Sequence, residues 1–371
     1  MLEPMETRGR SPAGRQESAT PTIADVAKAA RVSTSTAARA LGDYGSVSAA
    51  ARKRVADAAR RLGYRRNVLA RSMVTGRTQT IGFVGADVTE PFFARALRGI
   101  IDVARGLDFE VIVVNTDDDI ELERAAVRLF DEKRIDGMVL SPVEDEPGEH
   151  VVDLAARGRP LVFLDRVVRG VAADAVLIDN VRTARSGVEY LLRRGHRRIA
   201  LITTEVDPDD PIAALEAMTL DPYPTSTSRS RSLGYLAALR AAGLPCAREL
   251  VRSAEFSREG AALETTRALQ LSPCPTAVFA TDYVTTLGAY EAIQQSRLRF
   301  PEDVSLLGFD DSEWATIVRP TLTVLTQPAY DIGATAARRL IARLNGDDSP
   351  PQVLLLDAAL VERDSVASRE G

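Results

Sequence analysis

The chain has 371 residues, of which 45% are hydrophobic and 27% charged. That length exceeds one ordinary domain and can bury a sizeable core. No run of about 18 apolar residues occurs and the first residues hold no apolar segment, so we expect neither a membrane-spanning helix nor a secretory signal. Cys246 and Cys274 lie beside prolines without metal-ligand spacing. We interpret them as unpaired thiols and expect a cytoplasmic protein.

Charge is distributed unevenly along the chain. Residues 1–78 carry 15 Lys and Arg against 6 Asp and Glu, although the whole chain has 47 against 52. The basic N-terminal segment therefore precedes an acidic body, an asymmetry that indicates a polyanionic partner for the segment alone. Residues 1–20 are polar and contain Pro and Gly, and we predict a disordered tail there.

The segment from Thr22 to Leu41 predicts two short helices joined by a tight turn at 31–33. Thr22 is a suitable N-cap, with Asp25 three residues later as a variant capping box. Ser33 is placed to cap the second helix. A third helix is predicted between Ser48 as its cap and Gly63 as its stop, with Val55, Ala58, Ala59 and Leu62 facing inward. This is the layout of a helix-turn-helix, whose second helix reads the DNA major groove. An ordinary helical bundle is the alternative.

Beyond Ile81, short apolar strands alternate with amphipathic helices. The predicted strands are 81–84, 110–115, 137–141, 160–165, 175–179, 199–203, 250–256, 276–281 and 304–309. The predicted helices lie near 92–106, 119–133, 182–194, 231–243, 258–271, 283–296 and 328–344. Apolar strands alternating with helices indicate parallel sheets covered on both faces, and this number of strands indicates two doubly wound lobes. Ligands of such sheets bind beyond the carboxyl ends of the strands.

No catalytic or cofactor motif is found in the sequence. It lacks G-x-G-x-x-G after a strand, a P-loop, G-x-S-x-G and metal-spaced His or Cys residues. His196 lies in a helix-to-strand turn, where a structural role is expected, and His150 is isolated. We therefore predict that the protein is not an enzyme and uses no cofactor or metal.

The chain resembles the LacI/GalR family of bacterial transcriptional regulators. The matching segments include T-I-A-D-V-A-K-A-A-R-V-S, E-P-F-F, V-F-L-D-R, G-H-R-R-I-A-L-I, P-E-D-V-S-L-L-G-F-D-D and P-T-L-T-V-L-T-Q-P, in family order over about residues 20–366. The resemblance implies a two-lobed, periplasmic-binding-protein-like α/β body of two doubly wound parallel sheets and an all-α helix-turn-helix head. The implied head is 21–66, followed by a hinge helix and linker at 67–78. The implied lobes are 79–179 with 327–346, and 180–326 with 347–366.

The family implies DNA-contacting positions in the head and hinge. Thr34 and Ser35 match base-reading positions, Arg39 a residue near bases or backbone, and Ser33 and Thr36 phosphate contacts. Thr22, Asn67 and Ala70 complete the implied set with Met73, which stands where a hinge-helix wedge enters the minor groove. Simple helix N-terminal polarity is the alternative for Thr34 and Ser35, and packing against a partner hinge helix is the alternative for Met73.

The family also implies effector-binding positions in the body. Phe92 and Phe93 would lie beside the effector, with one of the two in the lobe core. Arg231 would bond ligand oxygens, Phe256 would stack on the ligand and Asp310 would accept hydroxyl groups. Asp282 and Gln327 would line the same cleft. Crossovers between the lobes are expected near Asn180, Gln327 and Asp347.

Several positions depart from the family pattern. Arg31 occupies a turn position that is usually Gly, where a left-handed conformation costs stability. Arg66 replaces the proline before the hinge, and Glu90 and Thr281 replace two asparagines. Thr281 stands at a position where the family implies a ligand-bonding amide. The segment from about 205 to 228 is long and rich in Pro, Asp and Ser, and we predict a flap or lid there.

These expectations combine into a repressor that binds a pseudo-palindromic operator as a homodimer and is released by a sugar or sugar derivative in the cleft. A corepressor, either a nucleobase or a phosphoprotein partner, is an alternative. A two-lobe ligand-binding module without DNA output is another. No apolar heptads follow Arg363, so no tetramer-forming tail is expected.

Overall fold

The computed structural model describes residues 21–42, 45–64, 77–144, 148–207, 209–218 and 226–369. The chain divides into two compact units between residues 76 and 77. The first unit is called the head and the second the body, and each is described by itself. No helix in these ranges is long and apolar enough to cross a membrane.

The head consists of helices α1 (Ile23–Ala30), α2 (Thr34–Gly42) and α3 (Ala49–Leu62). Thr22 accepts a hydrogen bond from the Asp25 backbone while the Asp25 carboxylate accepts one from the Thr22 backbone, which confirms the capping box. Ser48 caps α3, and Gly63 ends it in a left-handed conformation, as predicted. Local sequence signals therefore determine where these short helices start and stop.

The core of the head is built from small side chains. Its fully buried members are Val26, Ala27, Ala30, Ala37, Ala40, Val55, Ala58 and Ala59. Leu62 was predicted to face inward, but it is 38% exposed, because α3 ends there and the chain turns at Gly63. Alanine-rich contacts bring the three helices close together but bury little apolar area, so the head has a small core.

The first lobe of the body is formed by a six-stranded parallel sheet in the order β11-β5-β4-β3-β1-β2. Its strands are β1 (Thr80–Gly85), β2 (Glu110–Asn115), β3 (Gly137–Leu140), β4 (Leu161–Leu164), β5 (Asp174–Ile178) and β11 (Val353–Leu356). Its helices are α4 (Pro91–Gly106), α5 (Ile120–Glu132), α6 (Glu149–Ala156) and α13 (Ala329–Leu344). A side chain at Gly99 or Gly333 would collide with the backbone of the facing helix, so these glycines let α4 and α13 pack closely.

The second lobe is formed by another six-stranded sheet, in the order β12-β10-β9-β8-β6-β7. Its strands are β6 (Ile199–Thr203), β7 (Val251–Ser253), β8 (Ala277–Ala280), β9 (Ser305–Phe309), β10 (Thr323–Thr326) and β12 (Ala359–Val361), with β12 antiparallel to β10. Its helices are α7 (Asn180–Arg193), α8 (Pro211–Met218), α9 (Thr227–Ala241), α10 (Arg258–Leu269), α11 (Tyr283–Gln295) and α12 (Glu313–Ile317). Two sheets covered by helices confirm the predicted fold class.

The chain passes between the lobes at three places. It leaves the first sheet after β5, returns between β10 and α13, and crosses again between β11 and β12. The expectation that the last crossover falls near Asp347 was wrong. Buried Asp174 accepts hydrogen bonds from Arg343 and from the Gln352 backbone, and these bonds direct the chain to pair as β11 with β5 in the first sheet.

Several elements were absent from the prediction. The strands β10, β11 and β12, of three or four residues each, were not predicted. Helices α6, α8 and α12 were also missed. Helix α8 lies within the segment predicted as a flap, and α9 begins at Thr227 rather than near 231. Residues 219–225 of that segment lie outside the described residues.

Candidate functional site

The start of α2 presents hydroxyl groups in a small hydrogen-bonded cluster. The Ser33 hydroxyl accepts a bond from the Thr36 backbone at 3.1 Å and lies 2.9 Å from the Ser35 hydroxyl and 2.8 Å from the Thr36 hydroxyl. Ser33 therefore caps α2 and orients its neighbours. Thr34 and Ser35 are exposed, and no hydrogen bond among the described residues involves the Thr34 side chain. Thr34 is thus available to a ligand of the head.

Arginines flank this cluster. Arg39 bonds back to the Ser35 carbonyl from Nε at 3.3 Å, which fixes part of its side chain beside the helix start. Arg31 adopts a left-handed conformation with φ 54° and ψ 50°, the strain predicted for a non-glycine residue at this turn. The predicted positions Arg66, Asn67, Ala70 and Met73 lie outside the described residues.

A cleft of about 360 Å³ opens within the body, where strand ends of both sheets meet. Its walls include all seven side chains predicted to bind the effector: Phe92, Phe93, Arg231, Phe256, Asp282, Asp310 and Gln327. They come from helix starts and strand ends that are far apart in sequence. The volume falls in the range of small-molecule sites. No group of His, Cys, Asp or Glu within the described ranges could hold a metal ion.

Arg231 is the central cation of the second-lobe wall. It is 3% exposed, and its Nε donates to Asn180 Oδ1 at 2.8 Å while Nη1 donates to the Thr281 carbonyl at 2.7 Å. Its guanidinium lies 3.6 Å above the Phe309 ring centre. These contacts hold the planar group in one orientation before any ligand binds.

Gly234, one turn after Arg231, explains why α9 can present this arginine. A side chain at Gly234 would collide with the Val181 carbonyl oxygen of α7. The absence of a side chain lets the two helices pack backbone to backbone. Arg231 thereby reaches Asn180, the first residue of α7.

Asp310 and Gln327 form the second polar pair of this wall. Gln327 Nε2 donates to Asp310 Oδ1 at 2.8 Å. Burial is the main cause that raises the pKa of Asp310 to about 6. The Gln327 side chain is 8% exposed, and its Oε1 is buried with no hydrogen-bond partner in the structure. One buried amide oxygen beside Asp310 is therefore left without a protein donor.

Asp282 also lines the cleft, but its carboxylate has a local role. It caps α11 by accepting from the Thr285 backbone at 2.8 Å, and burial raises its pKa. Thr281 stands where the family implies a ligand-bonding amide. Its side chain is fully buried and bonds to the Ile202 carbonyl and the Thr203 hydroxyl, and it is not among the residues that line the cleft.

The first-lobe wall combines two aromatic rings with charged side chains. Phe92 and Phe93 are 7% and 3% exposed and pack edge to face, with ring centres 5.1 Å apart. One of the two was expected in the lobe core. Both belong to the core and both border the cleft, because the Pro91 turn places them in the first turn of α4. Phe256, from the second lobe, is 51% exposed, so its ring is accessible at the edge of the cleft.

The structure adds charged lining residues that sequence reasoning missed. Asp118, Asp165 and Glu205 each follow a strand and adopt positive φ angles of 54°, 67° and 59°. Arg166 donates to Asp118 Oδ1 at 2.7 Å and lies 4.0 Å from Asp165. The sequence could have indicated these residues, since acidic residues within a few positions of the end of a parallel strand lie where ligands bind. Strained backbone at several strand ends also marks a functional site.

Glu90 is the further addition to the cleft lining. It occupies the N-cap position of α4, yet its side chain makes no capping bond. Burial, followed by the charges of Asp282 and Asp310, raises the pKa of Glu90 to about 8. The carboxyl group therefore lies in a region that is short of positive charge.

The two histidines lie elsewhere in the fold. His196 is fully buried and bonds to the Thr276 hydroxyl and the Ala367 carbonyl, both at 3.0 Å, and burial lowers its pKa. This arrangement is structural. His150, interpreted as isolated, instead lies 2.6 Å from Glu123 Oε1 in a buried pair. The fold brings α5 and α6 together, a contact that spacing along the chain does not show.

A capped helix-turn-helix and a two-lobe body with a polar and aromatic cleft define a ligand-binding transcriptional regulator. The family model for bacterial regulatory proteins of the lacI family matches residues 22–67. The model for a periplasmic binding protein-like domain matches residues 188–366. Both matches coincide with the elements described above.

Known proteins are similar to this chain over nearly its whole length. The repressor CytR of Escherichia coli K12 is 32% identical over 353 residues, which is 95% of this chain and 98% of CytR. The structure of the regulator CelR in complex with cellobiose has a TM-score of 0.67 at 29% identity and covers 93% of this chain and 99% of its own. The lac repressor dimer bound to operator and an anti-inducer matches with a TM-score of 0.80 at 24% identity, covering 94% and 100%.

The chain belongs to the LacI family of bacterial transcriptional regulators. It is a DNA-binding transcriptional repressor with a ligand-binding domain, and its relatives are regulators rather than enzymes.

Proposed function

We propose that the protein binds a pseudo-palindromic operator as a homodimer and releases it when a sugar or sugar derivative occupies the cleft. The observation that carries this proposal is the cleft itself. Side chains from both lobes border one cavity of about 360 Å³, so a ligand that bridges them favours one lobe arrangement over another. Operator affinity changes only if the ligand binds the two arrangements with different affinity.

The chemistry of the walls supports a polyhydroxylated effector. Asp310 and Gln327 offer acceptors for hydroxyl groups, and Arg231 is held in place to donate. Phe92, Phe93 and Phe256 offer apolar surface for a sugar ring. CelR was solved with cellobiose, which is consistent with a carbohydrate in a cleft of this fold.

The head supports the DNA half of the proposal. We propose that Thr34 and Ser35 read bases and that Thr22, Ser33, Thr36 and Arg39 contact bases or phosphates. Single heads of this size make few contacts, and two-fold protein symmetry matches two operator half-sites. The lac repressor, whose fold this chain shares, is a dimer on its operator.

We further propose that residues 67–74, with Asn67, Ala70 and Met73, form a hinge helix that enters the minor groove. Substituting Met73 by Ala is expected to weaken specific binding more than non-specific binding, since the wedge acts only on kinked operator DNA. Equal losses on specific and random duplexes, measured by fluorescence anisotropy, would contradict the wedge.

The decisive experiment couples the two halves in the full chain. An operator is first selected from a random duplex library, and its half-site symmetry is read directly. Sugars, polyols and nucleosides are then screened by thermal shift, and each hit is added to the preformed complex. We expect a sugar-like hit to lower operator affinity at least tenfold. A hit that binds the cleft and leaves operator affinity unchanged would refute the regulatory proposal.

A further inference from the structure

We propose that the effector is a cationic polyol, a polyhydroxylated compound with a protonated amino group, and that Glu90 is the residue that selects the amine. The inference rests on the proposed function, because it deepens the identity of the ligand in the same cleft.

Both arginines of the cleft lining already have protein partners. Arg166 pairs with Asp118 at 2.7 Å. Arg231 donates from Nε to Asn180 and from Nη1 to the Thr281 carbonyl. A guanidinium group carries five N–H donors, so Arg231 keeps further N–H groups for the hydroxyl groups of a ligand. Its positive charge already offsets part of the charge of Asp282 and Asp310.

Glu90 differs from these arginines because its carboxyl group has no protein partner. Its side chain makes no hydrogen bond or ion pair within the described part of the chain. A partly buried carboxyl group without a partner favours a ligand that brings donors. An ammonium group brings three and no acceptor.

The charge of the lining points the same way. Two arginines, Arg166 and Arg231, line the cleft with six carboxyl groups: Glu90, Asp118, Asp165, Glu205, Asp282 and Asp310. A third arginine, Arg229, lies 3.8 Å from Glu205, and the carboxyl groups still outnumber the cations. A phosphorylated or carboxylated ligand would add negative charge to this excess. A protonated amine would reduce it, and in a partly dehydrated cleft such pairing is stronger than in water.

Glu90 is the best-placed partner for the amine. It is the N-cap residue of α4 and lines the cleft with Phe92, and its carboxyl group makes no capping bond. The charged groups that raise its pKa are all acidic: Asp282, Asp310, Asp87 and Asp118. An ammonium group placed there would favour the ionised carboxylate, so binding would release a proton near neutral pH.

The test uses the full chain and matched pairs of compounds that differ only in one group. Glucosamine is compared with glucose, galactosamine with galactose, and glucamine with sorbitol, by isothermal titration calorimetry at about pH 7. At least one amine is expected to bind about tenfold or more tightly than its hydroxyl partner. Titration in buffers of different ionisation heats should show proton release with the amine alone.

Variants assign the selectivity to one residue. Glu90→Gln keeps the shape and hydrogen-bonding capacity but removes the charge, and it should reduce the amine preference to about twofold or less. Glu149→Gln, an exposed glutamate in the first turn of α6 and outside the cleft lining, should keep the preference unchanged.

The outcomes separate this inference from the proposed function. A neutral sugar that binds as tightly as its amine and releases the operator would overturn the inference and leave the proposed function intact. An amine that binds with Glu90-dependent preference but leaves operator affinity unchanged would support Glu90 as the selecting residue, and it would refute both the proposed function and the role of the amine as effector. Failure of every amine to bind at about 10 mM, or an unchanged preference in Glu90→Gln, would overturn the inference.

Discussion

The two walls of the cleft are built in different ways. On the second-lobe wall, Arg231 and Asp310 are held by hydrogen bonds to Asn180, the Thr281 carbonyl and Gln327. On the first-lobe wall Arg166 is likewise paired with Asp118, but Glu90 differs. It stands beside the packed aromatic rings, and its carboxyl group has no hydrogen bond or ion pair among the described residues.

The difference indicates that the two walls have different roles in ligand binding. A wall whose polar groups are already oriented can hold a ligand with little loss of side-chain entropy. A wall with apolar surface and a carboxyl group without a partner gains most when it closes over a ligand and water is excluded. We therefore expect the second lobe to supply orientation and the first lobe to supply closure and selectivity.

The largest expected effect comes from removing the fixed cation of the second wall. Arg231→Met should weaken binding of the tightest ligand in the sugar and amine panel about 100-fold, since it leaves buried carboxylates without their cation. Calorimetry measures the loss. Arg240→Met, at the exposed end of the same helix, is the control. A loss below about threefold would break the comparison, because the second wall would then not orient the ligand.

A substitution at Gly234 should separate the effect of the position of Arg231 from the effect of its charge. Gly234→Ala pushes α9 away from α7 and moves Arg231 without altering it. We expect about tenfold weaker binding and a decrease of about 1–3 kcal/mol in the free energy of unfolding, measured by urea denaturation. Gly106→Ala is the matched control, because a side chain there would contact nothing. Unchanged ligand affinity despite lower stability would show that the orientation of Arg231 is unimportant.

The aromatic contribution can be tested at the cleft edge. Phe256→Ala should weaken ligand binding about fivefold with little change in stability, since the ring is 51% exposed in the free protein. Leu263→Ala, with 52% exposure on α10 and no place in the cleft, is its control. A large drop in thermal stability for Phe256→Ala would instead assign the ring to the core.

The smallest expected effect concerns pH. The pKa of Glu90 is raised to about 8 and that of Asp310 to about 6, so the folded state binds more protons than the unfolded state in this range. The free energy of unfolding should therefore fall between about pH 4 and pH 8, by on the order of 1 kcal/mol after allowance for solvent screening.

Urea midpoints of the ligand-free chain measure this slope. Glu90→Gln should flatten it at the upper end and Asp310→Asn at the lower end, because each replaces a titrating group by a neutral one. A slope that both variants leave unchanged would contradict the raised pKa values of Glu90 and Asp310 and the electrostatic difference between the two walls.

The sequence by itself determined the local features. Capping at Thr22 and Ser48 depends on residues three positions apart, and the main strands of both sheets depend on continuous apolar runs. Motif resemblance also named the seven cleft residues that the structure gathers around one cavity, although their role in binding stays a prediction.

Only the tertiary structure decided the features that depend on distant contacts. The short strand β11 joins the first sheet because Asp174 and Arg343, 169 residues apart, meet. Thr281 is withdrawn into the sheet because Thr203 lies behind it, and His150 acquires Glu123 as a partner. The charge balance of the cleft follows from strand ends that converge from both lobes. The spacing of residues along the sequence does not reveal such convergence, because packing between elements determines which side chains become partners.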